Sequence, residues 1–159
     1  MEQIQQKLDQ FTKDFQSAVL ATMTKENTLY TSYAPFIYVD NQYYFLMSKI
    51  AKHYENLLNN NQMSFILIED ESKAKNIFFR KRLSYQAQAE IDVKDDMVKT
   101  AFINLHKEMA EMLFQMDFII VKAHITEGQF IIGPGMAYEV DCNQHINQQI
   151  KTKGGHGHK

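Results

Sequence analysis

Five cations crowd the stretch "SKAKNIFFRKR": Lys73, Lys75, Arg80, Lys81 and Arg82, with no acid among them. The acidic run Glu69 to Glu71 stands directly before it. On an extended strand successive side chains alternate, so Arg80 and Arg82 share one face and Lys81 points away. Two guanidiniums on one face, with Lys73 and Lys75 in the loop before them, suit phosphate or paired carboxylates, which Arg grips with two parallel hydrogen bonds. The same pattern also suits a solvated sheet edge guarded by positive charge against aggregation. A second candidate is the Ser48–Lys49 pair in "MSKIAKHYENLL", at a strand-to-helix junction. It can offer backbone N–H groups and a cation to an anion, or Ser48 can simply cap the helix.

Histidine is the third candidate. His53, His106 and His124 lie inside regular elements without the spacing of a metal motif, so each reads as a surface or partly packed imidazole. His156 and His158 stand apart in "GGHGHK", among Gly and Lys with nothing to pack against. Such a pair can bind a metal or a haem iron, or belong to a disordered terminus. No nucleophile motif, Walker loop, dinucleotide fingerprint or paired catalytic carboxylate is present.

The elements that must position these residues follow from periodicity. Ile4, Leu8, Phe11 and Phe15 recur at helical spacing and predict an amphipathic first helix. "SAVLATMT", "TLYTSYAPFIYV" and "QYYFLMS" are rich in β-branched and aromatic residues and are separated by "KEN" and "DN", which predicts a three-strand meander. A short helix follows through Ile50, Tyr54 and Leu57. "QMSFILIED" and "NIFFRKRLSYQAQAEIDV" then predict two strands. "KDDMVKTAFINLHKEMAEMLFQM" predicts one long helix whose Met97, Ala101, Leu105, Met109 and Met112 form a single stripe. "DFIIVKAHI" and "QFIIG" predict a hairpin around "TEG", and "MAYEV" follows the turn "GPG".

Strands outnumber helices and hairpins dominate. The pattern therefore predicts a mainly β, α+β domain: an antiparallel, closed or partly closed barrel with flanking helices over residues 1–143, then a flexible polar tail over residues 144–159. The 159 residues are enough for one core without staples. A lone cysteine, Cys142, excludes a disulfide framework and points to a reducing, cytoplasmic setting. The apolar runs are too short to cross a bilayer as helices, and the first residues do not read as a secretory leader. A net charge of −2 argues against nucleic acid as the main partner.

The joined stretch "QMSFILIEDESKAKNIFFRKRLSYQAQAE" resembles the haem-utilisation proteins of the HugZ/HutZ type, within the FMN-binding split-barrel group that includes pyridoxamine-phosphate oxidase. "FLMSKIAKHYENLLNNNQMSF" and "MDFIIVKAHITEGQFIIGPGMAYEV" are similar to further segments of that family. The resemblance implies a homodimer of split β-barrels with ligands in clefts between subunits. It further implies haem as ligand, with oxygen-dependent ring opening that releases iron on electrons from an external donor. His156 is the first choice of iron ligand by its place in the chain, and His158 the second. Asp117 matches an acidic position that would hydrogen-bond that histidine, or else simply marks a helix-to-strand boundary. Arg80 matches an arginine near the pocket, with Arg82, Lys73 and Lys75 taking the remaining anionic groups. Two alternatives follow from the same likeness. One is an FMN-dependent oxidoreductase using Arg80, Arg82, Ser48 and Lys49 for the flavin phosphate. The other is a haem carrier without enzymatic activity.

Overall fold

The apolar stripe of the first helix, α1 (Glu2–Lys13), buries Leu8 and Phe11 against one end of a β-barrel, with Ile4 and Phe15 partly buried beside them. The computed structural model describes residues 1–151. The predicted meander is present as β1 (Ser17–Met23), β2 (Leu29–Val39) and β3 (Gln42–Ser48). Asp40 and Asn41, both at positive φ, make its tight second turn, where such residues tolerate the left-handed conformation. After α2 (Lys52–Asn59) come β4 (Gln62–Ile68) and β5 (Arg82–Ile91), then α3 (Asp96–His106) and α4 (Glu108–Gln115). β6 (Phe118–Gly133), β7 (Met136–Val140) and β8 (Ile146–Gln149) complete the elements of the described residues.

All strand pairings are antiparallel, in the order β3-β2-β1-β4-β5-β6-β7-β8, and β3 also pairs with β6. That extra pairing closes β1 to β6 into a barrel. β6 makes it possible because it is long: Phe118–Ala123 pairs with β3, while Gly128–Gly133 pairs with β7. The expected hairpin around "TEG" is therefore not a hairpin. Thr126 is an extra residue opposite the Gln86–Ala87 step, a bulge that bends the strand, and Gly128 lies opposite Tyr85. A Cβ on Gly128 would meet the Tyr85 ring at 2.6 Å, so the glycine clears space for an aromatic side chain.

The barrel interior is filled by Phe36, Tyr43, Phe45, Phe65 and Tyr85, whose neighbouring rings pack tilted or edge-on at 5.0–5.7 Å between centroids. Each such ring contributes roughly 1.5–3 kcal/mol by leaving water. β3 is buried on both faces, which explains its unbroken run "YYFLM". Tyr43, Phe45 and Met47 face the barrel; Tyr44 and Leu46 face the α3–α4 pair with Ile37 and Ile120.

The single long helix of the sequence reading is two. Lys107, at φ 57 and ψ −132, breaks the run between α3 and α4. Of the predicted stripe only Ala101 packs toward the sheet. Met97, Leu105, Met109 and Met112 are exposed, and Val98, Phe102 and Ala110 are buried against the sheet. A last correction concerns the tail. β8 lies within residues 144–159, pairing Ile146 with Val140 and Gln149 with Tyr138, so the packed chain runs past residue 143.

Candidate functional site

Ser48 ends β3 and Asp117 immediately precedes β6, and the pairing of those strands sets them side by side. The Ser48 hydroxyl donates to Asp117 Oδ2 at 2.6 Å. The Ile50 N–H reaches the same oxygen at 3.3 Å, and the Lys49 N–H donates to the Asp117 carbonyl at 3.3 Å. The Ser48 hydroxyl, aided by these backbone N–H groups, holds the Asp117 carboxyl below its usual range. Asp117 is thus an ionised acceptor at neutral pH. Ser48 does not cap the following helix: Ala51 stands at the N-cap of α2, without a side-chain bond. The sequence pattern names the Ser48–Lys49 pair and Asp117 separately. The structure assembles them.

The basic stretch is built differently from the expected strand. Ile77–Phe79 forms a 3-10 turn, capped where the Phe78 N–H donates to Asn76 Oδ1, and β5 begins only at Arg82. Arg80 therefore precedes the strand proper, and Arg80 and Arg82 are both half-buried while Lys81 between them is exposed. Arg80 donates through Nε and Nη2 to the Glu69 carbonyl at 3.2 and 2.7 Å. Arg82 donates through Nη1 to the Arg80 carbonyl at 2.9 Å. The Lys81 N–H is held by Glu69 Oε1 at 2.8 Å. These bonds fold the loop onto itself and leave Lys73 and Lys75 exposed with Phe78 and Phe79. Sequence reading missed that exposed aromatic pair, although "IFF" between cations was its visible signal.

The two groups stand at opposite ends of β6. Arg82 pairs with Ile131, whereas Asp117 precedes Phe118. The intervening strand path is on the order of 40 Å at the usual rise per residue. They form separate patches along β6. Near the Arg82 end, a groove of about 840 Å³ runs between α1 and the sheet, lined by Lys7, Asp14, Glu69, Lys73, Lys81 and Ile132 among others. His53 is 8 % exposed, with Nδ1 2.8 Å from the Ser32 hydroxyl, and His124 pairs with Glu90 at 2.8 Å. Both match their reading as packed or surface imidazoles. His156 and His158 lie outside the described residues.

Residues 4–130 match the pyridoxamine 5′-phosphate oxidase family. The haem oxygenase HutZ of Vibrio cholerae serotype O1 is 33% identical over 149 residues, covering 91% of this chain and 85% of that protein. The chain belongs to the HutZ-type branch of the pyridoxamine 5′-phosphate oxidase family. The HutZ crystal structure, described as that of a haem storage protein, superposes with a TM-score of 0.69 at 32% identity, over 74% of this chain and 87% of HutZ. ChuZ of Campylobacter jejuni gives a TM-score of 0.83 at 27% identity, covering 94% of this chain and 63% of the ChuZ chain. The split-barrel fold expected from the sequence is thereby established for the HutZ-type chain.

Proposed function

We propose that this protein binds haem and opens its ring with oxygen, releasing iron for the cell. The observation that carries this reading is the 33% identity to a haem oxygenase across 91% of the chain. Haem is the substrate here. Dioxygen and reducing equivalents come from outside, the latter from an external donor in a reducing cytoplasm.

The residue roles follow from chemistry. His156, or His158 in its place, ligates the iron as a neutral imidazole. Asp117 accepts the other imidazole N–H on Oδ1, which orients the ring and raises its donor strength. Ser48 and the Ile50 N–H support that geometry by fixing Oδ2. The remaining N–H groups of Arg80 and Arg82, with Lys73 and Lys75, meet the propionates. Because Asp117 and these cations occupy opposite ends of β6, one haem meets both only if a second copy of the chain supplies one set. A homodimer is therefore part of the proposal.

The flavin alternative has the support of the family as a whole. Against it, the Asp117 carboxylate beside Ser48 and Lys49 repels an anion there.

The test is a haemin titration followed by absorbance on the wild type, His156→Ala and His158→Ala. The expected result is a sharp Soret band saturating near one haem per chain and lost in one variant. A broad, unsaturated shift common to all three proteins would sink the reading, and a yellow protein as isolated would favour flavin.

A further inference from the structure

The first helix and the turn between β7 and β8 meet at one glutamine. Gln5, on α1, donates through Nε2 to the Gln144 carbonyl at 2.9 Å and accepts the Ile146 N–H on Oε1, also at 2.9 Å. A carboxamide that reads a C=O and an N–H two residues apart acts as the peptide group of a neighbouring strand would. Asp9 Oδ1, one turn further along α1, accepts from the same Nε2 at 3.0 Å and fixes the rotamer.

The segment held by Gln5 is itself a built turn. Asp141 Oδ1 accepts the N–H groups of Asn143 and His145, and the Asp141 N–H returns to the His145 carbonyl. Gln144, at φ 66, is thereby turned inward and is 5 % exposed. Its Oε1 accepts the Tyr85 hydroxyl from inside the barrel, while its buried Nε2 has no partner among the described residues. A plug needed for packing alone would be better served by Leu or Met, since an unpaired buried amide is costly. The polar plug instead ties the turn to a named barrel residue. From there β8 leads to Ile150, whose N–H donates to the Ala137 carbonyl at 2.8 Å. Six further residues reach His156, at most about 20 Å of extended chain.

We propose that Gln5 and Gln144 form a latch that fixes where the C-terminal arm leaves the barrel, and so which iron its histidines reach. Gln5 and Gln144 are positioning residues; neither touches the haem. The first half of the proposal rests on the turn alone, and the second on the haem reading above.

The experiment uses the full-length chain as Gln5→Leu, with Gln3→Leu on the exposed side of the same helix as control. Hydrogen exchange of the haem-free protein is expected to quicken about fivefold or more in residues 142–150 of Gln5→Leu, in keeping with a lost hydrogen bond. It should stay unchanged in β4 and in the control. On haemin addition, Gln5→Leu should lose the histidine-ligated Soret signature in part and regain it with free imidazole. Unchanged exchange overturns the latch. Faster exchange with unaltered ligation overturns its positioning role. A wild type indifferent to both His156→Ala and His158→Ala removes the arm itself. That outcome is read on those variants and is distinct from a failure of the latch.

Discussion

His53 shows how a single residue's surroundings set a measurable property. Burial on the inner face of α2 lowers its pKa from 6.5, because the charged imidazole loses water and gains only the Ser32 hydroxyl. The unfolded chain therefore binds the proton more readily than the native one. Stability from this group is fully present above pH 6.5 and is lost as pH falls toward the lowered native value. We expect His53→Gln to flatten the decline of Tm between about pH 7 and pH 5 relative to wild type. Parallel melting curves for the two proteins over that window would show that His53 titrates as in the unfolded chain. Asp117 carries the opposite lesson. Its type and place were legible in the sequence, but its ionised, acceptor-only state depends on Ser48, which lies 69 positions away.

At the scale of elements, the strands were read more securely than the helices. Meander and apolar strands follow from period-two patterns and turn residues, which are local. α3 and α4 carry two apolar stripes, one through Met109 and Met112 and one through Val98 and Phe102. The sheet chose between them by presenting Ile37, Tyr44, Leu46 and Ile120. Likewise "TEG" has the composition of a turn, yet in β6 it makes a bulge and a close approach to Tyr85. Gly128→Ala tests that reassignment. The added methyl meets ring carbons at 2.6 and 2.7 Å and the Ser84 carbonyl at 3.1 Å. Such overpacking costs about 1–3 kcal/mol. At about 2–4 °C per kcal/mol for a chain of this size, a thermal melt should show the drop. No change in Tm would mean that the Tyr85 ring moves aside freely.

For the whole molecule, oxygenation and storage predict different fates for bound haem. With haemin, a reductant and oxygen, the protein should yield a ring-opened pigment and free iron above a serum albumin control. Recovery of intact haem at full stoichiometry would make it a carrier. Both fates remain within a chain whose Vibrio cholerae relative is described as a haem oxygenase and, from its crystal structure, as a haem storage protein. The separation of Asp117 from Arg80 and Arg82 along β6 also belongs to this scale. On the proposed homodimer the complete site draws on two chains, so dissociating the protein should weaken haem binding and turnover together.

The sequence by itself determined the residue classes, the antiparallel strand pattern and the family likeness, because alternation, turn chemistry and short motifs are written in neighbouring residues. It named Ser48, Lys49, Asp117, Arg80 and Arg82 without saying which stand together. Only the tertiary structure joined Ser48 to Asp117, turned the Arg80 and Arg82 donors onto backbone carbonyls, and set those groups at opposite ends of one strand. It also brought Gln5 to Gln144 across 139 positions. The Ser48–Asp117 pairing depends on barrel closure through β3 and β6, and no local pattern encodes a closure of that kind.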